Sequence, residues 1–299
     1  MTNSHKLIWA FFLFMALFLT SQVTAQSGFP KRIKLPKELR EVSGACKADS
    51  VSLWLQNDSQ NKSCLYKYNW KQQEITETIC LDVPNRDWED LANTPDGRIL
   101  IGDFGNNTNQ RKDLHIYILD PQTKQVEQIQ FSYPDQDQFP PRSVNYWNYD
   151  CEAFVVARDS IHLFSKNRFS GNGYTKHYRL PLRAGTYKAQ LIDSMYLENI
   201  AVSAADFNPE TGALAVCGYH SQPRRYFLPK TTGRIIVFED FGKNGVISKN
   251  QHAYPLHKLG FIRQYEALNW LNNHTLIVGN EQKKWQHHAL YKVDLTQQD

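Results

Sequence analysis

Trp88-Glu-Asp-Leu-Ala-Asn-Thr-Pro-Asp-Gly-Arg-Ile-Leu-Ile-Gly-Asp103 is the stretch that decides the fold. An acid, Glu89, opens a short apolar run, and Pro95-Asp-Gly97 supplies a tight turn. A second β-like run then closes on Asp103, 14 positions after the acid. The same unit begins again at Glu41-Val-Ser-Gly, Glu152-Ala-Phe-Val, Asp206-Phe-Asn-Pro and Glu266-Ala-Leu-Asn. It closes on Lys166, His220 and Asn280 at the same 14-residue distance, and on Asn57 after 16 in the first copy. A repeat of strands and turns predicts a radial or stacked all-β architecture.

Two more runs follow most of these hairpins: 114–120 and 126–133 in the second repeat, 175–181 and 188–197 in the third, 233–239 and 246–254 in the fourth. They are rich in Val, Ile, Tyr and Phe and are broken by Asn, Asp, Gly and Pro, as strands are. The fifth repeat has only 265–270, 275–280 and 289–294 before the chain ends. Arg32-Ile-Lys-Leu35, just ahead of the first repeat, is the natural donor of the missing strand. Lending it to the last sheet closes a ring and removes an exposed edge. The expectation is a five-bladed β-propeller, with six blades open as an alternative if 134–149 conceals one.

Lys6, the apolar run 7–19 and Val23-Thr-Ala25 have the three parts of a secretory signal peptide, and the run is too short for an ordinary span. Residues 1–25 are therefore predicted to be removed, leaving 26–299 as a single propeller domain, secreted or periplasmic. No later stretch approaches 18 apolar residues, so no membrane span is expected after cleavage. Loss of Lys6 alone takes the net charge from +4 to +3, too even to suggest nucleic acid. Of the five cysteines, Cys46, Cys151 and Cys217 sit within apolar strands. Cys64 and Cys80 flank a hairpin that turns near Trp70–Gln73, so that one bulge would bring them opposite each other. A disulfide and two buried thiols both remain open there.

Adjacent strands of a blade run antiparallel, so the repeat acids and the closing residues should converge on one mouth of the central channel. Glu41, Glu89, Glu152, Asp206 and Glu266 would then repel one another unless they hold a cation, and oxygen donors suit Ca²⁺. The alternative is a structural ring of carboxylates bonded to neighbouring backbone. Asp87 and Asp150 precede the strands, and Asp90 should point to the opposite face, which makes all three weaker candidates. Asp103, Arg111, Lys166, His220, Asn280 and Trp285 are candidates for an anion- or ligand-binding surface. Arg168, Arg224, Arg225, Lys283 and Lys284 lie in the same long loops. No nucleophile motif is present, and His115 and His162 sit within strands as packing residues.

Glu41-Val-Ser-Gly, Asp87-Trp-Glu-Asp-Leu-Ala, Gly102-Asp-Phe-Gly-Asn-Asn with Arg111, Ile116-Tyr-Ile-Leu-Asp-Pro, Tyr133-Pro-Asp, Asp150-Cys-Glu-Ala-Phe and Phe164-Ser-Lys166 occur in an order that resembles secreted bacterial propellers related to the SdiA-regulated and "esterase-like activity of phytase" families. The resemblance implies a propeller, often with calcium, of poorly defined activity. Asn106 replaces the second Asp of that group's Gly-Asp-x-Gly-Asp-Asn pattern, which implies a weaker site if that Asp is a ligand. Three functions follow. The first is an exported binding or scaffold propeller with calcium at the channel mouth and a small-molecule or protein ligand there. The second is a calcium-dependent hydrolase of phosphate esters, and the third a carbohydrate-active propeller.

Overall fold

A computed structural model describes residues 31–167, 173–197, 200–222, 230–247, 251–256, 264–282 and 287–296. The proposed signal peptide and Trp285 lie outside these residues, as do the loop cations Arg168, Arg224, Arg225, Lys283 and Lys284. Strand β1 (Arg32–Lys34) precedes four hairpin pairs and a last group of three strands. The first pair is β2 (Val42–Lys47), β3 (Ser52–Asn57), β4 (Cys64–Asn69) and β5 (Glu74–Cys80), followed by β6 (Trp88–Asn93), β7 (Ile99–Asp103), β8 (Leu114–Leu119) and β9 (Val126–Ser132). Then come β10 (Cys151–Ala157), β11 (Ser160–Ser165), β12 (Tyr174–Pro181), β13 (Gly185–Lys188) and β14 (Gln190–Tyr196). The last are β15 (Ala201–Phe207), β16 (Leu214–Gln222), β17 (Lys230–Phe238), β18 (Gln251–Pro255), β19 (Tyr265–Asn272), β20 (Thr275–Asn280) and β21 (Ala289–Asp294).

These strands make five sheets, the arrangement of a five-bladed propeller. The innermost strands β2, β6, β10, β15 and β19 lie against one another in a closed ring. As expected, β1 completes the last sheet, pairing antiparallel with β21 through Arg32↔Tyr291, Ile33↔Leu290 and Lys34↔Ala289. Ile33 is buried there between two exposed cations, which fixes the register by burying one side chain in three. The segment 134–149 holds only the short turn Val144–Tyr146, so no sixth blade is hidden in it.

Burial follows position in the blade. Inner strands such as β10 are buried along their whole length, whereas the outer strand β5 is mostly exposed. Inner strands are covered on both faces by neighbouring blades, hence their continuous apolar runs. The run expected at 188–197 is essentially β14, preceded by the short β13. β13 pairs parallel with β9 and covers the outer edge of the second blade, while β14 closes the third.

Cys64 and Cys80 are register partners and form a disulfide, with the bulge placed between Lys67 and Tyr68. Cys46, Cys151 and Cys217 are free and buried. His162 packs in the third blade, its Nδ1 2.8 Å from His177 Nε2, while His177 Nδ1 meets Asp193 at 3.0 Å. His115 stacks on Tyr117. Both histidines are packing residues, as read from their strands.

Candidate functional site

Each inner strand begins with the same irregularity. The register slips by one residue between Val42 and Gly44, Trp88 and Asp90, Cys151 and Ala153, Val202 and Ala204, and Tyr265 and Ala267. The bulged residues are Ser43, Glu89, Glu152, Ser203 and Glu266. A bulge re-aims one side chain out of the alternation, here at one end of the channel in all five blades. The ring at the mouth is therefore three glutamates and two serines. Ser43 and Ser203 give their hydroxyls to the Glu89 and Tyr265 carbonyls of the adjacent inner strand.

Two of the five expected ring acids consequently stand elsewhere. Asp206 lies near the far end of β15, opposite Ala215, and accepts from Trp270 N at 2.7 Å and Asn269 Nδ2 at 2.9 Å. Burial pushes its carboxyl up to about 7. Glu41 precedes β2, two residues ahead of the ring serine, and is held by Asn61 Nδ2 at 2.6 Å. Aligning the repeats on their acids misplaced both residues, because the bulge position is filled by serine in the first and fourth blades.

Asp90 also departs from expectation, since the bulge at Glu89 turns it into the channel. It is fully buried and accepts from three backbone amides: Leu91 at 2.9 Å, Phe154 at 3.2 Å and Ala205 at 3.4 Å. The last two belong to the third and fourth blades, so one carboxylate ties three blades at the axis. Of the closing residues, Asn57, Asp103 and Asn280 pair with the first residue of their inner strand. Lys166 and His220 lie one position beyond the equivalent Ser165 and Tyr219.

The mouth divides into two halves of opposite character. On the side of the third to fifth blades, Lys166 Nζ is paired with Glu152 and lies over the Tyr219 ring at 5.4 Å. Glu266 receives Gln264 Nε2 at 3.0 Å and faces the Tyr219 hydroxyl at 3.4 Å. Burial alone would lower the Lys166 pKa, but Glu152, Tyr219 and Glu266 raise it well above its ordinary value, so the ammonium stays charged.

On the side of the first and second blades, one carboxylate oxygen each from Asp58, Asp87 and Glu89 lies within 4.8 Å of the other two. No ion pair to any of the three exists among the described residues. Glu89 is 5% exposed, and its carboxylate makes no hydrogen bond to a described residue. Burial, then Glu152, Asp58 and Asp87, push its carboxyl well above the usual range. Asp87 is raised to about 6, again by burial first and then by Asp58 and Asp150.

The loop after β7 is built around this cluster. A Cβ on Gly105 would fall 2.0 Å from Glu89 Oε1 and 2.5 Å from Asp87 Cγ, so any larger residue would push these two carboxylates from their places. Gly105 N donates to the Asp87 carbonyl, and Asp103 Oδ1 accepts from Asp87 N at 3.0 Å. Arg111 braces the loop, spending its guanidinium on Gly105 O, Asp103 and Asp113 at 2.8 to 3.3 Å. Asn106 gives its Nδ2 to Tyr149 O and receives Arg111 N on its Oδ1. It is a brace, and an aspartate could not make the first of these bonds. Asp58 was not singled out in the sequence. Its one signal is its place directly after the closing Asn57, at the start of a long β3–β4 connection.

The donor set fits a hard divalent cation. Calcium takes oxygen ligands at about 2.3–2.6 Å, so two oxygens on one ion stand at most ~5 Å apart, and the three carboxylates meet that limit. A buried Glu89 beside two other acids, with the Gly105 backbone against it, is compatible with such a site.

No family model matches the chain, and no curated protein does. Solved structures do. A gluconolactonase from Xanthomonas campestris is 12% identical, with 88% of this chain and 89% of that one covered at a TM-score of 0.46. Hydrazine synthase of Kuenenia stuttgartiensis is 10% identical over 81% and 77%, with a TM-score of 0.45. The Dos1 propeller is 8% identical over 80% of this chain and 52% of its own, with a TM-score of 0.42. None of the three likenesses carries an argument about this chain, whose propeller architecture rests on its own five sheets.

Proposed function

We propose that the chain is an exported binding propeller whose channel mouth carries one calcium ion, held by Asp58, Asp87 and Glu89. The observation that carries this reading is the Glu89 carboxylate, buried beside two other acids with no donor among the described residues. An uncompensated buried charge is among the most costly features a fold can keep, and a bound cation removes the cost. Three carboxylates leave positions on a calcium ion for water or for a ligand arriving from the mouth. The Cys64–Cys80 bond supports export, since disulfides persist outside the reducing cytoplasm. So does the N-terminal run of basic, apolar and small residues. Membership of the SdiA-regulated or phytase-like propellers is part of the same proposal and rests on the motif order.

The reading stops at binding. Two of the candidate anion-binding residues, Arg111 and Lys166, are engaged by Asp103, Asp113 and Glu152. Calorimetric titration of CaCl₂ into the chelator-treated mature protein tests the site. One calcium per chain is expected in the wild type and none in Glu89→Gln. Equal binding by both proteins would move the ion elsewhere, and no binding by either would leave the cluster as protonated carboxylates.

A further inference from the structure

Asp58 heads a stretch without an apolar residue, Asp58-Ser-Gln-Asn-Lys-Ser63, and no side chain in it is buried. This loop folds back on its own acid. The Asp58 carboxylate accepts from Ser59 N, and Asn61 Nδ2 donates to Asp58 O at 3.1 Å. At its far end the loop enters β4 at Cys64, where that strand has a single neighbour. The β3–β4 ladder stops at Leu55↔Tyr66, so Cys64 and Leu65 pair with β5 and not with β3. Cys64 and Cys80 are the last register pair at this end of the β4–β5 ladder, and the disulfide joins them there.

The chain beyond Cys80 is better anchored. Leu81 and Val83 pack half-buried on the core of the first two blades, and the same segment runs on to Asp87. Asn85 ties it to the loop from the inner side, its Nδ2 donating to Asp58 O at 3.0 Å while its Oδ1 accepts from Trp88 N at 3.1 Å. The disulfide thus fastens a polar loop carrying one acid of the cluster to a packed segment carrying another. Exposed segments with few buried contacts open at low cost, and a cross-link removes many of the open arrangements. A cation shared by Asp58 and Asp87 has to order the same loop. Bond and ion favour one arrangement, so each must strengthen the other by the same factor.

We propose that the Cys64–Cys80 disulfide is a redox control on the calcium site, the oxidised protein binding the ion tightly and the reduced protein weakly. This rests on the calcium reading above. Cys80 is exposed and Cys64 buried, so an external dithiol reaches Cys80 Sγ first. Its thiolate forms a mixed disulfide there as the S–S bond breaks, and Cys64 leaves as a thiolate that takes up a proton. The second thiol of the reductant gives up its proton and closes a cyclic disulfide, releasing Cys80, which is protonated in turn. Two electrons pass from the dithiol to the protein.

The test runs in both directions. Calorimetric titration with CaCl₂ should give a Kd about tenfold higher in mature protein reduced by dithiothreitol, and in Cys64→Ala/Cys80→Ala, than in the oxidised wild type. Conversely, the reduced fraction is read by alkylation of Cys64 and Cys80 at equilibrium with a fixed ratio of dithiothreitol to its disulfide. Calcium should lower that reduction constant by the same factor in the wild type and leave it unchanged in Glu89→Gln. The second reading decides the matter if the double variant fails to fold. Equal calcium affinity in oxidised and reduced protein, or a reduction constant indifferent to calcium, would overturn the coupling and leave the site standing. An oxidised wild type that binds no calcium would overturn both.

Discussion

Glu89 and Asp90 are consecutive in the chain, and both are buried in the channel, at 5% and 0% exposure. Their surroundings differ completely. Asp90 accepts from amides of three blades, whereas Glu89 meets only other carboxylates among the described residues. The contrast separates the two accounts that a ring of acids permits. Backbone bonding to neighbouring blades explains Asp90, and it explains Asp206 at the far end, which is held by Trp270 N. It does not explain Glu89. A carboxylate with amide partners is architecture, and one without them, beside two other acids, is where the proposed cation would sit.

The comparison breaks first at Asp90. Asp90→Ala strands two interblade amides and should cost about 3–5 kcal/mol, the scale of a buried polar network losing its acceptor. Denaturant unfolding with and without calcium should show the same loss in both. Next in size is Gly105→Ala, whose methyl would meet Glu89 Oε1 and Asp87. It should lower stability by about 1–3 kcal/mol through overpacking and abolish calcium binding by calorimetry.

A pH series sharpens the contrast at the far end. The Asp206 carboxyl is raised in the fold to about 7, above an unfolded value of about 4. Between these values the folded state binds the extra proton, so stability falls as pH rises from about 4 to about 7. In chelator-treated protein, Asp206→Asn should flatten that slope, and an unchanged slope would assign it to other acids. The smallest effect is at Glu89 itself. Without calcium, Glu89→Gln should be neutral or stabilising by about 1 kcal/mol, because it discharges a buried acid.

Much of the fold was legible in the residues, and the reason is local. The β-strand runs, their turns and the spare strand at 32–35 each follow from short-range patterns, whereas the choice between a Cys64–Cys80 disulfide and two buried thiols was open in the residues and is closed by the structure. The site was only half legible. Glu89 was found because it opens its repeat. Asp58 was missed because it reaches the cluster from a loop 29 positions before Asp87, and nothing local marks it. Asp206 was placed at the wrong end, and Asp90 on the wrong face, for a single physical reason. A bulge shifts strict alternation by one residue, and the serines at 43 and 203 fill the ring position without resembling an acid.

The most direct measurement is the thermal midpoint of the mature wild type, Glu89→Gln and Asp90→Asn, each with EDTA and with excess Ca²⁺. The account predicts that calcium raises the wild-type midpoint, by the equivalent of about 2.7 kcal/mol at a hundredfold excess over Kd. Asp90→Asn should start lower and keep that rise, and Glu89→Gln should start no lower and show none. A rise retained in Glu89→Gln, or a wild type indifferent to calcium, would contradict it.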